Sequence, residues 1–237
     1  MERSVYFEHS TAIWSAFPSL VPGLLLVENV LPDREVADRL EPLFALARRR
    51  LEGASESELP EVQAWRRAFS QMGLKPTQYR SAAEALLRRF RKEGTLPTLH
   101  PLVDLCNAVS LAYALPVAVI DLDQVEGFIQ VRHADGDELY LAFSGEIEHP
   151  EPGEVIFADG ARQVHARRWT FRQSRRSTVS DGTRRALIVS EGLHPTAPAD
   201  VAALLEALER ELAACGFAPS RRAILTADAA RWSSGAF

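Results

Sequence analysis

The residues richest in chemical possibility fall in one run, Arg168-Trp169-Thr170-Phe171-Arg172-Gln173-Ser174. An aromatic ring beside guanidinium groups suits stacking on a base and contact with phosphate. On a continuous strand, Trp169, Phe171 and Gln173 share one face, and Arg168, Thr170, Arg172 and Ser174 share the other. Arg172 or Gln173 is then placed at a ligand and Phe171 in the core. The plainer alternative makes both aromatics core and the arginines a solvated face. Asp104 and Asn107, three apart in an apolar helical pattern, suit recognition of an ammonium or hydroxyl at a pocket wall, or capping of the preceding turn. Arg80 and Glu84 stand at i and i+4, which fits an exposed helix ion pair or a part in the same pocket. Asp121, Asp123 and Glu126 more commonly stabilise a turn than order a catalytic water.

Other chemistries lack an entry point. Ser81 and Ser110 have no visible His partner, so neither is read as a nucleophile. The six His residues (9, 100, 133, 149, 165 and 194) show neither H-x-x-x-H nor H-x-x-E spacing, and no metal or other cofactor is expected. Cys106 and Cys215 stand far apart and read as packed thiols rather than a disulfide. No G-x-G-x-x-G, Walker-type, G-x-S-x-G or C-x-x-C motif occurs.

The elements that must position these residues read as α+β. A strand around Gly23–Val30 leads into a helix from Pro32-Asp33 to Leu51, and Pro60-Glu61 opens a second helix ending near Gly73. A third spans about Thr77 to Lys92 and a fourth, apolar on most sides, about Pro101 to Ala114. Short β runs follow at Val117–Asp121, Gly127–Arg132, Leu139–Phe143, Glu154–Ala158, Gln163–Gln173 and Arg185–Ser190, read as an antiparallel sheet. Asp200–Ala214 closes the pattern as a helix stopping at Gly216, with a short tail beyond. Helices grouped before strands exclude alternating βαβ units.

With 237 residues, 46% of them hydrophobic, the chain can bury a substantial core as a single domain, 1–237. No apolar run suits a membrane helix. The start, Met1–Leu20 with Glu2, Arg3 and Glu8, reads as folded chain, so a cytoplasmic protein without a membrane partner is expected. The net charge of −5 hides a separation. Asp135 to Asp159 carries acids and no Lys or Arg, whereas Arg162 to Arg185 holds eight arginines against Asp181 alone. That arginine field suits RNA phosphates, with Arg167, Arg168, Arg175 and Arg176 the expected contacts, or else it neutralises the acidic strands beside it.

The ordered phrases from Trp65 to Val189 resemble a known family. They are Ala64-Trp65-Arg66 with Gly73 and Pro76, Tyr79-Arg80-Ser81 with Glu84-Ala85-Leu86-Leu87, and Leu96-Pro97 with Pro101-Leu102-Val103-Asp104, Asn107 and Ser110. Leu115-Pro116, Asp121-Leu122-Asp123 with Glu126-Gly127, Pro152-Gly153-Glu154-Val155 with Asp159, and Arg168-Trp169 with Arg172-Gln173-Ser174 before Thr183 complete them. Together they resemble the B3/B4 tRNA-binding and editing region of bacterial phenylalanyl-tRNA synthetase β subunits, and especially its free-standing relatives. The resemblance implies a B3/B4-like fold, helices packed on a largely antiparallel sheet, with its core at about residues 60–192. The strand and helix of 1–59 and the helix of 195–216 are then flanking additions. It further implies tRNA as partner, with no DNA, and a trans-acting deacylase that removes a wrong amino acid from tRNA. The alternative is a non-catalytic module for an RNA end or an amino-acid-like ligand. Pocket residues under this resemblance are Arg80, Glu84, Asp104, Asn107, Trp169, Arg172, Gln173 and Ser174. Where the synthetase region has a His just before the position of Asp121, this chain reads Val117-Ala118-Val119-Ile120. Where it has a Glu after the strand following Thr183, this chain has Val189 or Ser190, with Glu191 one or two places away.

Overall fold

The run Val21–Glu28 is apolar at nearly every position because both of its faces are covered, the pattern of a strand in the middle of a layered structure. In the computed structural model, which describes residues 4–235, this strand is β2. Before it come β1 (Tyr6–His9) and the short α1 (Thr11–Ala16). Glu2 and Arg3 lie outside the described residues. Four helices follow: α2 (Ala37–Glu52), α3 (Pro60–Gln71), α4 (Ala82–Glu93) and α5 (Pro101–Tyr113). Then come β3 (Val117–Asp121), β4 (Phe128–His133), β5 (Leu139–Leu141), β6 (Ile147–Glu148), β7 (Val155–Asp159), β8 (Gln163–Arg167), β9 (Arg172–Gln173) and β10 (Ala186–Gly192). The chain closes with α6 (Ala197–Ala214), β11 (Ala218–Ile224) and β12 (Arg231–Ser233).

The α+β class holds, but the strands form two sheets rather than one. Strands β11, β2, β10 and β3 make an antiparallel sheet in that order. The other sheet runs β12-β1-β4-β7-β8-β5-β6, with β9 added to β8, and is mixed because β1/β4 and β5/β8 are parallel. Leu25 and Val27 of β2 pack into a cluster with α2, α5 and α6. Leu24 and Leu26 on its other face join a cluster with Phe7, Ile129, Phe157 and Trp169 of the mixed sheet. The antiparallel sheet is thus the middle layer.

Several boundaries depart from the sequence reading: the helix expected from Pro32-Asp33 begins at Ala37 and the one expected from Asp200 at Ala197, and three further departures have a local reason. Helix α4 starts at Ala82, not near Thr77, because Ser81 caps it by accepting the Glu84 N–H. Tyr79 and Arg80 therefore precede the helix. The long strand expected over Gln163–Gln173 breaks after Arg167. Arg168 and Trp169 adopt left-handed backbone (φ 46° and 57°), and Arg172–Gln173 turns back to pair with Ala166–Arg167. That turn contains no Gly, Pro, Asn or Asp to announce it. The short tail is two strands: β11 has no buried residue and carries Arg221 and Arg222, so it shows the charged character of an edge strand without an apolar period.

Half of the arginine field is spent on the acidic segment, through Arg162, Arg167, Arg168 and Arg172. Arg167 grips Glu154 through Nε (2.8 Å) and Nη2 (2.9 Å) and reaches Glu148 through Nη1 (2.6 Å). Arg162 pairs with Asp135 and Asp137, and Arg132 with Glu138. Glu138 is fully buried; burial alone raises its carboxyl, but the backbone N–H groups of Asp135 and Gly136 and the Arg132 guanidinium more than offset this and hold it at about 2.

Two outcomes follow from this packing. At Gly23 a Cβ would meet Val201 Cγ1 of α6 at 2.5 Å, so Gly23→Ala should cost about 1–3 kcal/mol in urea unfolding by overpacking. The Glu138 carboxyl is depressed from 4.5, so its contribution is complete above that pH and is lost as pH falls through about 2. Glu138→Gln should therefore be destabilising near neutrality, on the order of 3 kcal/mol, with the gap to wild type closing over that acidic range.

Candidate functional site

Glu191, near the end of β10, lines a small pocket, and three elements meet on it. Its carboxylate is buried, and His9 Nε2 from β1 lies 2.6 Å from Oε1. Trp169 Nε1 donates to Oε2 at 2.9 Å, and Trp65 Nε1 of α3 donates to the Glu191 carbonyl at 3.3 Å. The left-handed turn at Arg168–Trp169 is what aims the indole inward, edge-on to Trp65 and Phe17 at 5.1 and 4.8 Å between ring centres. Beside this cluster is a cavity of about 60 Å³, walled by Val117 and Ala118 of β3, Phe157, Val189 and Phe171, with Arg172 and Gln173 at its side. A carboxylate has about four acceptor directions, so Glu191 keeps capacity for a ligand donor after His9 and Trp169 are served.

A larger cavity, about 420 Å³, lies across Gln173 from the first and shares Val117 with it. Asn107, His100 and Val103 of the α5 region form one wall and Val119 another. Gln173 stands between the two spaces, its Nε2 donating to the Val119 carbonyl at 2.7 Å.

Of the expected pocket residues, Trp169, Arg172 and Gln173 line the first cavity, and Gln173 and Asn107 line the second. Asp104 accepts the Leu99 N–H at 2.9 Å and lines, with Asn107, a small depression against Leu40 and Phe44. Its carboxyl is raised by burial, against the pull of that N–H. Three residues are displaced from the pocket. Glu84 is buried beneath a two-pronged contact from Arg66 (2.6 and 3.1 Å), which corrects the exposed-pair reading, and Arg80 lies 3.5 Å from the same carboxylate. The hydroxyl of the fully buried Ser174 donates to the Leu141 carbonyl at 3.1 Å. These residues hold the walls rather than line them.

Among the expected phosphate contacts, Arg167 is buried and committed to Glu154, and Arg168 lies over Tyr79 (4.8 Å) with its Nε 3.7 Å from Glu154. Arg175 and Arg176 remain exposed on the turn after β9, and no carboxylate pairs with either among the described residues. Asp121 is a turn-builder: it accepts from Thr183 (2.7 Å) and from the Asp123 N–H (3.0 Å), and burial raises its carboxyl. Two groups have the spacing to hold a cation, Glu61/His194/Asp200 and Asp135/Asp137/Glu138. Arg50 already contacts Glu61, and Arg162 the second group, so both read as ion-pair networks. His9 was absent from the sequence-based site. A lone His in an N-terminal strand carries no spacing signal, and only the parallel pairing of β1 with β4 brings it to Glu191.

A two-sheet α+β scaffold with paired cavities at the free edge of β3 defines the class of protein. Residues 64–219, more than half of the sequence, match the B3/4 domain family, and the chain belongs to it. It is 30% identical over 77 residues to the phenylalanine–tRNA ligase beta subunit of Cereibacter sphaeroides and 29% identical over 91 residues to that of Fusobacterium nucleatum. The matched stretches cover 32% and 38% of this chain and only 9% and 11% of those relatives. A solved N-terminal fragment of the phenylalanyl-tRNA synthetase beta subunit from Pyrococcus horikoshii aligns with a TM-score of 0.49 and 12% identity, over 98% of this chain and 55% of that one. No helix among the described residues is long and apolar enough to cross a membrane. The family match includes Trp65, Trp169 and Glu191 but leaves out His9.

Removing one donor from a buried carboxylate leaves charge uncompensated. His9→Phe should thus lower stability by about 3 kcal/mol in urea unfolding. Combined with Glu191→Gln in a double-mutant cycle, it should show coupling above about 1 kcal/mol; additive losses would mean that the contact contributes nothing.

Proposed function

We propose that this chain receives the aminoacylated 3′ end of a tRNA and hydrolyses the ester of a wrongly attached amino acid. The observation that carries this reading is the pocket floored by Glu191, an apolar recess with one fixed carboxylate, in a chain of the B3/4 family. The named relatives, beta subunits of a tRNA ligase, support tRNA as the partner class. Glu191 accepts an ammonium or hydroxyl of the bound amino acid, and the aromatic and aliphatic walls select its side chain. The ester is already activated, so positioning it and ordering water near Arg172 and Gln173 is sufficient chemistry without a side-chain nucleophile. Exposed Arg175 and Arg176 supply phosphate contacts.

A second reading, ligand binding without turnover, draws on a specific observation. The residues lining the first cavity include no Ser, Cys or His, and its sole carboxylate already serves two donors.

Release of label from a panel of mischarged aminoacyl-tRNAs decides between them. Deacylation of at least one member above the buffer rate is expected, falling at least about tenfold in Glu191→Ala as one charge-assisted contact is lost. Arg175→Glu with Arg176→Glu should weaken tRNA binding and flatten its dependence on salt by roughly one unit of slope per lost contact. Salt-dependent binding with every ester left intact would establish the second reading and remove the first.

A further inference from the structure

Arg168 and Trp169 sit on one left-handed turn and line different cavities. Trp169 lines the Glu191 pocket, whereas Arg168 lines a recess of about 280 Å³ between the α3–α4 connection and the turn before β7. The Arg168 guanidinium is held over Tyr79 (4.8 Å) and near Phe171 (5.9 Å), with 17% of the side chain exposed. Glu154, the one carboxylate that pairs with it, lies 3.7 Å away and is already gripped by two nitrogens of Arg167. Among the described residues the guanidinium donates no hydrogen bond; only the Arg168 backbone N–H does. Contact with ring faces leaves its fork of N–H donors unspent, and such a fork matches a carboxylate through two parallel hydrogen bonds.

The lining of the recess narrows the ligand class. Among the described residues Arg168 is its one cation, and Glu151 and Glu154 are its carboxylates. With Glu154 matched by Arg167, Glu151 is the acid left over: it is exposed, and no cation pairs with it among the described residues. One positive and one negative group thus remain unanswered in the same recess. The rest of the wall is apolar, made by Met72, Leu74, Pro152 and Val155 with the Tyr79 ring. A phosphate dianion would meet Glu151 and Glu154 as like charges and leave the apolar wall unused. The volume falls just below the roughly 300–1,000 Å³ of drug-sized sites, which suits a smaller ligand than a nucleotide. A zwitterion with an apolar side chain satisfies charge, wall and size together.

We propose that this recess binds a free α-amino acid with an apolar side chain: Arg168 takes the carboxylate in its fork, Glu151 the ammonium, and Met72, Leu74 and Val155 the side chain. The inference rests on this recess and not on ester hydrolysis at Glu191. Its occupant also bears on the neighbouring pocket. The Arg168 and Trp169 N–H groups are bonded to Glu154 Oε1 (3.1 Å) and to the Val155 carbonyl (2.8 Å). A ligand clamped between Arg168 and the segment of Glu151 to Val155 therefore tightens the turn that aims the Trp169 indole at Glu191.

The test is a calorimetric titration of the full chain with L-leucine, L-methionine and L-phenylalanine, each beside its amide and its N-acetyl derivative, which lack one charge apiece. Saturable binding of at least one amino acid is expected, with its amide and N-acetyl derivative at least about tenfold weaker as one charge-assisted contact is lost. Arg168→Met should weaken binding by a similar factor, and so should Glu151→Gln. Because Glu151 is exposed and its carboxylate pairs with no described residue, the second variant does not threaten the fold. An N-acetyl derivative that binds as tightly as its parent identifies a polypeptide C-terminus as the ligand and overturns the free amino acid. Absence of saturation up to millimolar concentration overturns the proposal too, as does an amide within about twofold of its parent, or affinity within about twofold of wild type in either folded variant.

Discussion

The structure turns on one buried carboxylate. Glu191 belongs to the antiparallel sheet, whereas His9 and Trp169, which hold its two oxygens, belong to the mixed sheet and its turn. An ionised carboxylate without partners in such a place costs several kcal/mol, so the contact works only if both sheets and α3 arrive in register. This constraint accounts for features that look unrelated along the chain. The left-handed backbone at Arg168 and Trp169 is a locally unfavourable conformation, held by the Trp169 N–H to Val155 and the Arg168 N–H to Glu154. Its result is an indole N–H aimed at Glu191.

The acidic and basic segments serve the same end. Arg167 is locked against Glu148 and Glu154 beneath the turn, and Arg168 is sandwiched toward Tyr79 and Phe171. Their charges fix the loop that forms one pocket wall and are not available to a nucleic acid. Arg175 and Arg176, beyond β9, are. The opposing charges along the sequence thus divide between building the site and facing a partner, with position on either side of β9 deciding which.

Two spaces side by side along the free edge of β3, separated by Gln173, give the scaffold its chemical character. The first is small and takes in Glu191; the second is larger and is lined by His100, Asn107 and Asp181 beside aliphatic side chains. An edge strand is normally a liability. Here the Gln173 side chain caps part of it by donating to the Val119 carbonyl.

The sequence by itself determined the family, the helices α3, α5 and α6, the doubly covered strand β2, and the importance of the Trp169–Gln173 run. These are local properties: apolar period, caps, and ordered motifs within a few dozen residues. Which side chains meet was decided by tertiary structure. Arg80, Glu84 and Ser174 have the residue types of a binding site, yet the late start of α4 and the reversal after Arg168 turn them to structural partners. His9 had no motif around it and reaches Glu191 across 182 positions because parallel β1/β4 pairing carries it there. Edge strand β11 likewise lacks a buried face to record in its sequence, and β12 offers only Trp232 in three residues. Long-range pairing leaves no periodic trace in a strand, so only the assembled sheets reveal it.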